Sequence, residues 1–280
     1  MRSNGHIQAT GLDDAGRKQY LYHQHWREAR DREKFQRMED FAKVLPRLRE
    51  QVLADLGRHG LVRARVLACA VRLLDLGLFR IGGEEYAAGN ESYGLATLQR
   101  KHLSFDGAAA LFDYPAKSGQ RRSQTLEDAV SLSTLKALRS RPPGAGKELL
   151  AYREGRRWSD VRSAEINEYV KEHAGADYSA KDFRTWNATV LAAVALAQEK
   201  PPESKTARKR ASSLATKRVS AYLGNTPAVC RSAYIDPRVF DRFDSGTTIR
   251  ASIARLNGSA EPGEFPDREK IERAVLKLLK

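Results

Sequence analysis

The chain has 280 residues, with 49 lysines and arginines against 35 acidic residues and a formal net charge of +14. That length can bury a sizeable core, and 41% hydrophobic with 30% charged residues fits neither a membrane protein nor a disordered polyelectrolyte. The cationic excess favours a polyanionic partner, nucleic acid first, over a basic surface with no specific partner.

In chain order, residues 6–10 read as extended, 13–16 as a turn and 17–22 as the returning strand of a hairpin. A lone hairpin is marginal in water, so the chain reads as though it begins inside a domain. Helix is expected over 31–56, where Phe35, Met38, Phe41, Val44 and Leu45 recur at three and four, with Pro46 breaking or kinking it. Residues 61–76 form an apolar helix stopped at Gly77, and 78–83 a glycine-bounded turn. Residues 95–126 read as β, with strands at 103–105, 109–114 and 121–126 and turns at Asp106-Gly107 and 115–119. Helices are then expected over 128–139, 163–173 and 179–199, the last opening on Ser179 and Asp182 as a variant capping box. Residues 142–146 read as an exposed loop. A very basic helix over 204–223 ends at Gly224, a short one restarts with Pro227 in its first turn, and an amphipathic helix closes the chain over 267–280. The fold class expected is α+β: a predominantly helical domain with a small three-stranded antiparallel sheet.

Chemistry has few candidates. The longest apolar stretch, near Val190 to Ala197, is too short for a bilayer, and the first residues show no secretory h-region. Two cysteines, Cys69 and Cys230, exclude a disulfide scaffold and fit a reducing, intracellular setting. Neither zinc-finger spacing nor a phosphate-binding glycine motif occurs, so no metal or cofactor is expected. Three cations sit on turns or at a helix start: Arg80, Lys117 and Arg184. Together they could surround a phosphate, since guanidinium grips its oxygens bidentately, although singly each reads as a surface or structural residue. Tyr234, near a helix end and just before Asp236-Pro237, is a candidate exposed phenol or a tyrosine packed on a core edge. Cys69, Cys230, His23 and His25 read as structural.

The ordered set carries a resemblance. Residues 17–22 resemble a Gly-Arg-x-Gln-Tyr-x-Tyr hairpin, Arg80-Ile81-Gly82 a first arginine motif, and residues 90–102 the stretch after it. Ala116-Lys117-Ser118-Gly119 resembles a lysine hairpin, Lys181-Asp182-Phe183-Arg184-Thr185 a second arginine box, and residues 225–234 a nucleophile box. In that order they resemble a type IB DNA topoisomerase of the small bacterial and poxvirus kind, over nearly the whole chain.

The resemblance implies that Tyr234 attacks a phosphodiester to form a 3′-phosphotyrosyl link. The free 5′ end swivels and the 5′-hydroxyl then reseals the strand, without ATP or metal. It implies that Arg80 and Arg184 hold the non-bridging oxygens, Lys117 protonates the leaving oxygen and Lys181 supports them. Asn225 stands nine positions before Tyr234, where poxvirus and eukaryotic members have His, and keeps a donor but no cationic form. DNA contacts are expected from Gln19, Tyr20 and Tyr22 on the hairpin. Further contacts are expected from Lys205, Arg208, Lys209, Arg210, Lys217 and Arg218 on the basic helix. Residues 1–24 would be the remnant hairpin of an N-terminal clamp domain and 25–280 the catalytic domain. The resemblance also implies a cytoplasmic, nucleoid-associated monomer acting on double-stranded DNA and no membrane. A tyrosine recombinase or integrase shares the fold and a similar order, but its members carry His three residues before the second arginine, where this chain has Lys181. A non-catalytic DNA-binding module would explain the charge, but not the ordered set.

Overall fold

The computed structural model describes residues 5–13, 16, 18–199, 204–256 and 267–280; Asp14, Ala15 and Arg17 of the expected hairpin lie outside them. Contacts divide the chain into two units, Met1–Asp40 and Phe41–Lys280. In the first, β1 (Ile7–Leu12) and β2 (Lys18–Tyr22) pair antiparallel, with Thr10 opposite Tyr20. Tyr22 lies between two rings, Tyr20 at 6.0 Å and Trp26 at 4.4 Å. Helix α1 (Gln24–Leu56) begins here and continues into the second unit.

Two expectations about α1 need correction. It starts seven residues before position 31, and Pro46 does not break it, the helix being continuous from Gln24 to Leu56. Proline removes one backbone hydrogen bond, yet Phe41, Leu45, Leu48, Val52 and Leu56 are buried along both sides of it, and that burial holds the helix together. In the second unit, α2 (Arg63–Gly77) is buried over most of its length. Its left-handed terminal residue is Leu78, at φ 55°, rather than Gly77. Gly77 is needed for space instead, because a Cβ there would stand 2.2 Å from the Phe79 ring.

Helix α3 (Glu84–Asn90) follows, then two 3-10 turns over 95–97 and 100–102 where β structure was expected. Strands β3 (Leu103–Asp106), β4 (Ala109–Pro115) and β5 (Arg121–Glu127) make the expected antiparallel sheet, with Leu103 opposite Phe112 and Tyr114 opposite Arg122. Helix α4 (Ala129–Arg139) is capped by Asp128, whose carboxylate accepts from the Ser131 N–H. A hairpin of β6 (Ala151–Glu154) and β7 (Arg157–Asp160) was not expected; four-residue strands around Gly155 carry too short an alternation to register.

Helix α5 (Ser163–Ala174) leads to α6 (Ala180–Gln198), where nearly every residue from Asp182 to Ala197 is buried. A helix buried all round is a central one: α6 packs against α2, α7 and α11. Asp182 accepts from the Ser179 N–H at 2.9 Å and the Ser179 hydroxyl at 3.0 Å, so the expected capping residues do meet. Helix α7 (Lys205–Leu223) is capped by Ser204 and ends at Gly224, φ +63°. Helices α8 (Pro227–Ala233), α9 (Arg238–Asp244), α10 (Arg250–Ala254) and α11 (Arg268–Leu279) complete the unit; α9 and α10 are five to seven residues long and were not foreseen.

Candidate active site

Three chain crossings build the site. After α2 the backbone runs extended and pairs with the stretch before the first 3-10 turn: Leu95 N–H donates to the Arg80 carbonyl and Ala96 N–H to the Ile81 carbonyl, both at 2.8 Å. Gly82 and Gly94 stand back to back, and a Cβ on Gly94 would lie 2.5 Å from the Gly82 backbone. Only glycine at both positions permits this approach, which sets where Arg80 leaves the chain. Arg184 projects from the second turn of α6 and is 4% exposed. Asn225 follows the left-handed Gly224, Thr226 caps α8, and Tyr234 lies at its end, its N–H donating to the Cys230 carbonyl.

These residues meet at the C-terminus of α7. Arg80 Nη2 donates to the Gly224 carbonyl at 2.6 Å and to Asn225 Oδ1. Arg184 Nη2 donates to the Leu223 carbonyl at 2.9 Å and Nη1 to the Leu78 carbonyl. The Arg184 guanidinium carbon lies 5.3 Å from the centre of the Tyr234 ring. Arg184 Nε and Asn225 Nδ2 are buried without an acceptor at full hydrogen-bond geometry among the described residues, and both side chains lie close enough to the Tyr234 oxygen to act on it.

A third guanidinium joins them. Arg122 of β5 donates to the Tyr222 carbonyl and, through Nε, to Gln124 Oε1 at 2.9 Å. Sequence reading passed over Arg122, and strand alternation is the one signal that bears on it: neighbours Arg121 and Arg122 must face opposite sides. Arg121 turns out to solvent and pairs with Asp113, and Arg122 turns in. None of Arg80, Arg122 and Arg184 pairs with a carboxylate among the described residues. A cleft of about 1320 Å³ opens beside the same corner, lined in part by Arg80, Arg122, Tyr222 and Asn225.

The electrostatics follow from that arrangement. Burial, with the charges of Arg80 and Arg122 adding to it, draws Arg184 down to about 10, and the Tyr234 phenol opposes the shift. Burial works to raise Tyr234, but the charge of Arg184, donors on Arg184 and Asn225, and the charge of Arg80 outweigh it and set the phenol below its ordinary value. Arg122 is lowered by burial and by Arg80. Cys230, buried nearby, is pushed up to about 11 by desolvation, which makes it a poor nucleophile.

Other expected residues stand apart. Lys117 is exposed in the short turn between β4 and β5, and its ammonium makes no ion pair among the described residues. Lys181 is exposed on the first turn of α6. On the hairpin, Gln19 and Tyr20 are exposed and Tyr22 is half-buried, and Gln19 donates to Asp13 Oδ2 at 2.9 Å. On α7, Lys205, Lys209, Arg210 and Lys217 are exposed without carboxylate partners among the described residues. Arg208 donates to the Asp244 carbonyl at 2.6 Å and Arg218 lies 3.5 Å from Glu199, so both are partly engaged within the chain. Among the described residues no cluster of His, Cys, Asp and Glu is placed to hold a metal ion, and no helix is long and apolar enough to cross a membrane.

Comparison with known proteins adds two findings. The family model for the eukaryotic DNA topoisomerase I catalytic core matches residues 23–256. The chain is also 30% identical over 240 residues to the DNA topoisomerase 1B of Acanthamoeba polyphaga mimivirus, an alignment covering 83% of this chain and 70% of that protein.

Proposed function

The chain belongs to the type IB DNA topoisomerase family, and from that premise we propose how its own residues carry out the reaction. The Tyr234 oxygen attacks a phosphorus of duplex DNA. A bond forms between that oxygen and phosphorus, the bond to the 5′ oxygen breaks, and the phenolic proton passes to solvent. Lys117 supplies a proton to the leaving 5′ oxygen, which restores a hydroxyl. Strand rotation then releases supercoils, and the 5′-hydroxyl attacks the phosphotyrosine to regenerate both the phosphodiester and Tyr234. The linkage energy is conserved in the phosphotyrosyl bond, so neither ATP nor metal enters.

The transition state carries extra negative charge on its non-bridging oxygens. Arg80 and Arg184 face that charge, Asn225 gives its amide donor, and Lys181 adds a cation at the start of α6. Preorganised donors of this kind contribute roughly 3–4 kcal/mol each in comparable sites. The observation that carries this reading is the convergence of Arg80, Arg184 and Asn225 beside Tyr234, with no carboxylate pairing the two arginines among the described residues. Buried guanidinium groups without counter-ions are costly unless an anion arrives.

Lys117 sits on an exposed turn, so its role requires that DNA draw the turn over the scissile phosphate. The hairpin of residues 1–24 and the cations of α7 are assigned to the duplex backbone, with residues 25–280 as the catalytic domain. The protein acts as a monomer in the cytoplasm, associated with the nucleoid. The test is relaxation of supercoiled plasmid in EDTA without ATP. The parent relaxes it and leaves a covalent protein–DNA adduct on a denaturing gel, and Tyr234→Phe does neither while still binding DNA. Relaxation by Tyr234→Phe would remove Tyr234 as nucleophile.

A further inference from the structure

The C-terminal turn of α7 has an unusual partner on each of its last carbonyls. Tyr222 accepts from Arg122, Leu223 from Arg184 and Gly224 from Arg80, three guanidiniums from three separate parts of the chain. A helix C-terminus presents unpaired carbonyls and a partial negative charge, so cations settle there. Two of these arginines face Tyr234, through Arg184's ring contact and Arg80's charge. Arg122 does neither. It is fixed in β5 by Gln124, and Gln124 is itself fixed by donating to the Gly77 carbonyl at the end of α2.

We infer that Arg122 is a positioning residue for DNA cleavage: it ties the end of α7 to the sheet, holding the Gly224-Asn225 corner against Arg80 and Arg184.

Three observations meet in this assignment. The corner leads directly into α8 and Tyr234, so a shift of α7 moves Asn225 and the nucleophile together. Gly224 is left-handed, which by itself favours glycine, and the Arg122 guanidinium fills the space beside it, Nη1 standing 2.2 Å from where a Cβ would be. Like charges also matter: Arg122 has no carboxylate partner among the described residues and stands near Arg80. Arg80 is therefore pressed toward Gly224 and Asn225 rather than back into the sheet. A displacement near 1 Å of a reacting group costs on the order of 10²-fold in rate, so loss of one of three ties is expected to cost about ten-fold.

The inference rests on Tyr234 cleaving DNA, and the experiment separates the two. Single-turnover adduct formation on a short duplex is measured for the parent, Tyr234→Phe, Arg122→Ala, Arg122→Gln and Arg122→Lys, alongside duplex affinity across a salt series and thermal unfolding. No adduct from the parent, or adduct from Tyr234→Phe, would defeat the cleavage reading itself. With that reading intact, Arg122→Ala and Arg122→Gln cleave about ten-fold more slowly at saturating DNA, with affinity and salt slope unchanged, because positioning acts on the rate and not on binding. Arg122→Lys, which keeps the charge and one donor, recovers part of the rate. Three results overturn the inference: parental cleavage by Arg122→Ala; an affinity loss accounting for the whole defect with a salt slope lower by about 0.9, the mark of a direct phosphate contact; or a defect in every variant that follows only the fraction unfolded.

Discussion

Two partly buried clusters of arginine lie within the second unit, and they are built on opposite principles. Around the end of α2, Arg49 and Arg268 face Asp75 and Glu272. Arg49 donates to Asp75 at 2.8 and 3.1 Å and to Glu272 at 2.6 and 2.7 Å, while Arg268 reaches the same two carboxylates at 2.7 and 2.9 Å. Two cations meet two anions and the charge closes. At the end of α7, Arg80, Arg122 and Arg184 meet no carboxylate among the described residues and rest on neutral carbonyls. The first cluster is complete without a ligand and ties α11 to α1 and α2. The second carries net positive charge that no carboxylate among the described residues answers. A buried arginine is thus uninformative by itself; what answers its charge tells structure from function.

The comparison breaks most severely at Asp75. It is fully buried, and removing it in Asp75→Ala leaves two guanidiniums sharing Glu272. Stability in chemical denaturation is expected to fall by about 3–5 kcal/mol, as for other broken buried ion pairs. Cleavage at a temperature where the variant is folded should stay within about two-fold of the parent, since separate sites act additively. A stable Asp75→Ala, or one that folds and does not cleave, would erase the contrast.

Arg184→Ala should give the mirror image. Loss of one transition-state donor costs roughly 10²–10³-fold in cleavage, about 3–4 kcal/mol. Stability should change by only about 1 kcal/mol, because the lost bonds to the Leu78 and Leu223 carbonyls are offset by relief of an unpaired buried charge. Single-turnover rates and denaturant midpoints on the same preparations separate the two effects. Equal losses in both would mean that the carbonyl-bound cluster is as structural as the paired one.

Much of the scaffold could be read beforehand where its signals are local. The Asp106-Gly107 turn, the Ser179–Asp182 cap and the Gly224 stop each act within four residues, and the elements around them fall where expected. The misses have distant causes. Pro46 stays within a helix because of what buries Phe41 and Leu48, and Gly77 is kept small by the Phe79 ring rather than by its own torsion. Residues 95–102 form 3-10 turns, and α9 and α10 are too short for any period to show. At the site, resemblance named Arg80, Arg184, Asn225 and Tyr234, and the fold brings those four together. Nothing in the chain marks Arg122 over Arg121, since alternation says that one turns inward without saying which, and the Asp113 that holds Arg121 outward is eight residues away.

The smallest effect probes the second cluster before DNA arrives. If its charge is unanswered, an acid beside it should feel it, and Tyr234 is one such acid. Burial alone would raise the phenol above 10; the charges of Arg184 and Arg80 and the donors of Arg184 and Asn225 bring it below. The DNA-free protein should therefore show, in the ultraviolet difference between parent and Tyr234→Phe, one phenol ionising below 10. Arg184→Gln takes away the largest opposing charge and should move that midpoint upward, and Asn225→Ala, which takes away only a donor, should move it upward by less. Asp75→Ala leaves the paired cluster with one excess cation but removes none of the groups that act on Tyr234, so it should move the midpoint less than either. Arg184 itself lies near 10, so the two groups titrate together and the midpoint belongs to the pair. A Tyr234 that ionises at or above 10 in the parent, or one indifferent to Arg184→Gln, would mean that burial outweighs the unanswered cations. Tyr234, the proposed nucleophile, would then owe nothing to the cluster before a phosphate binds.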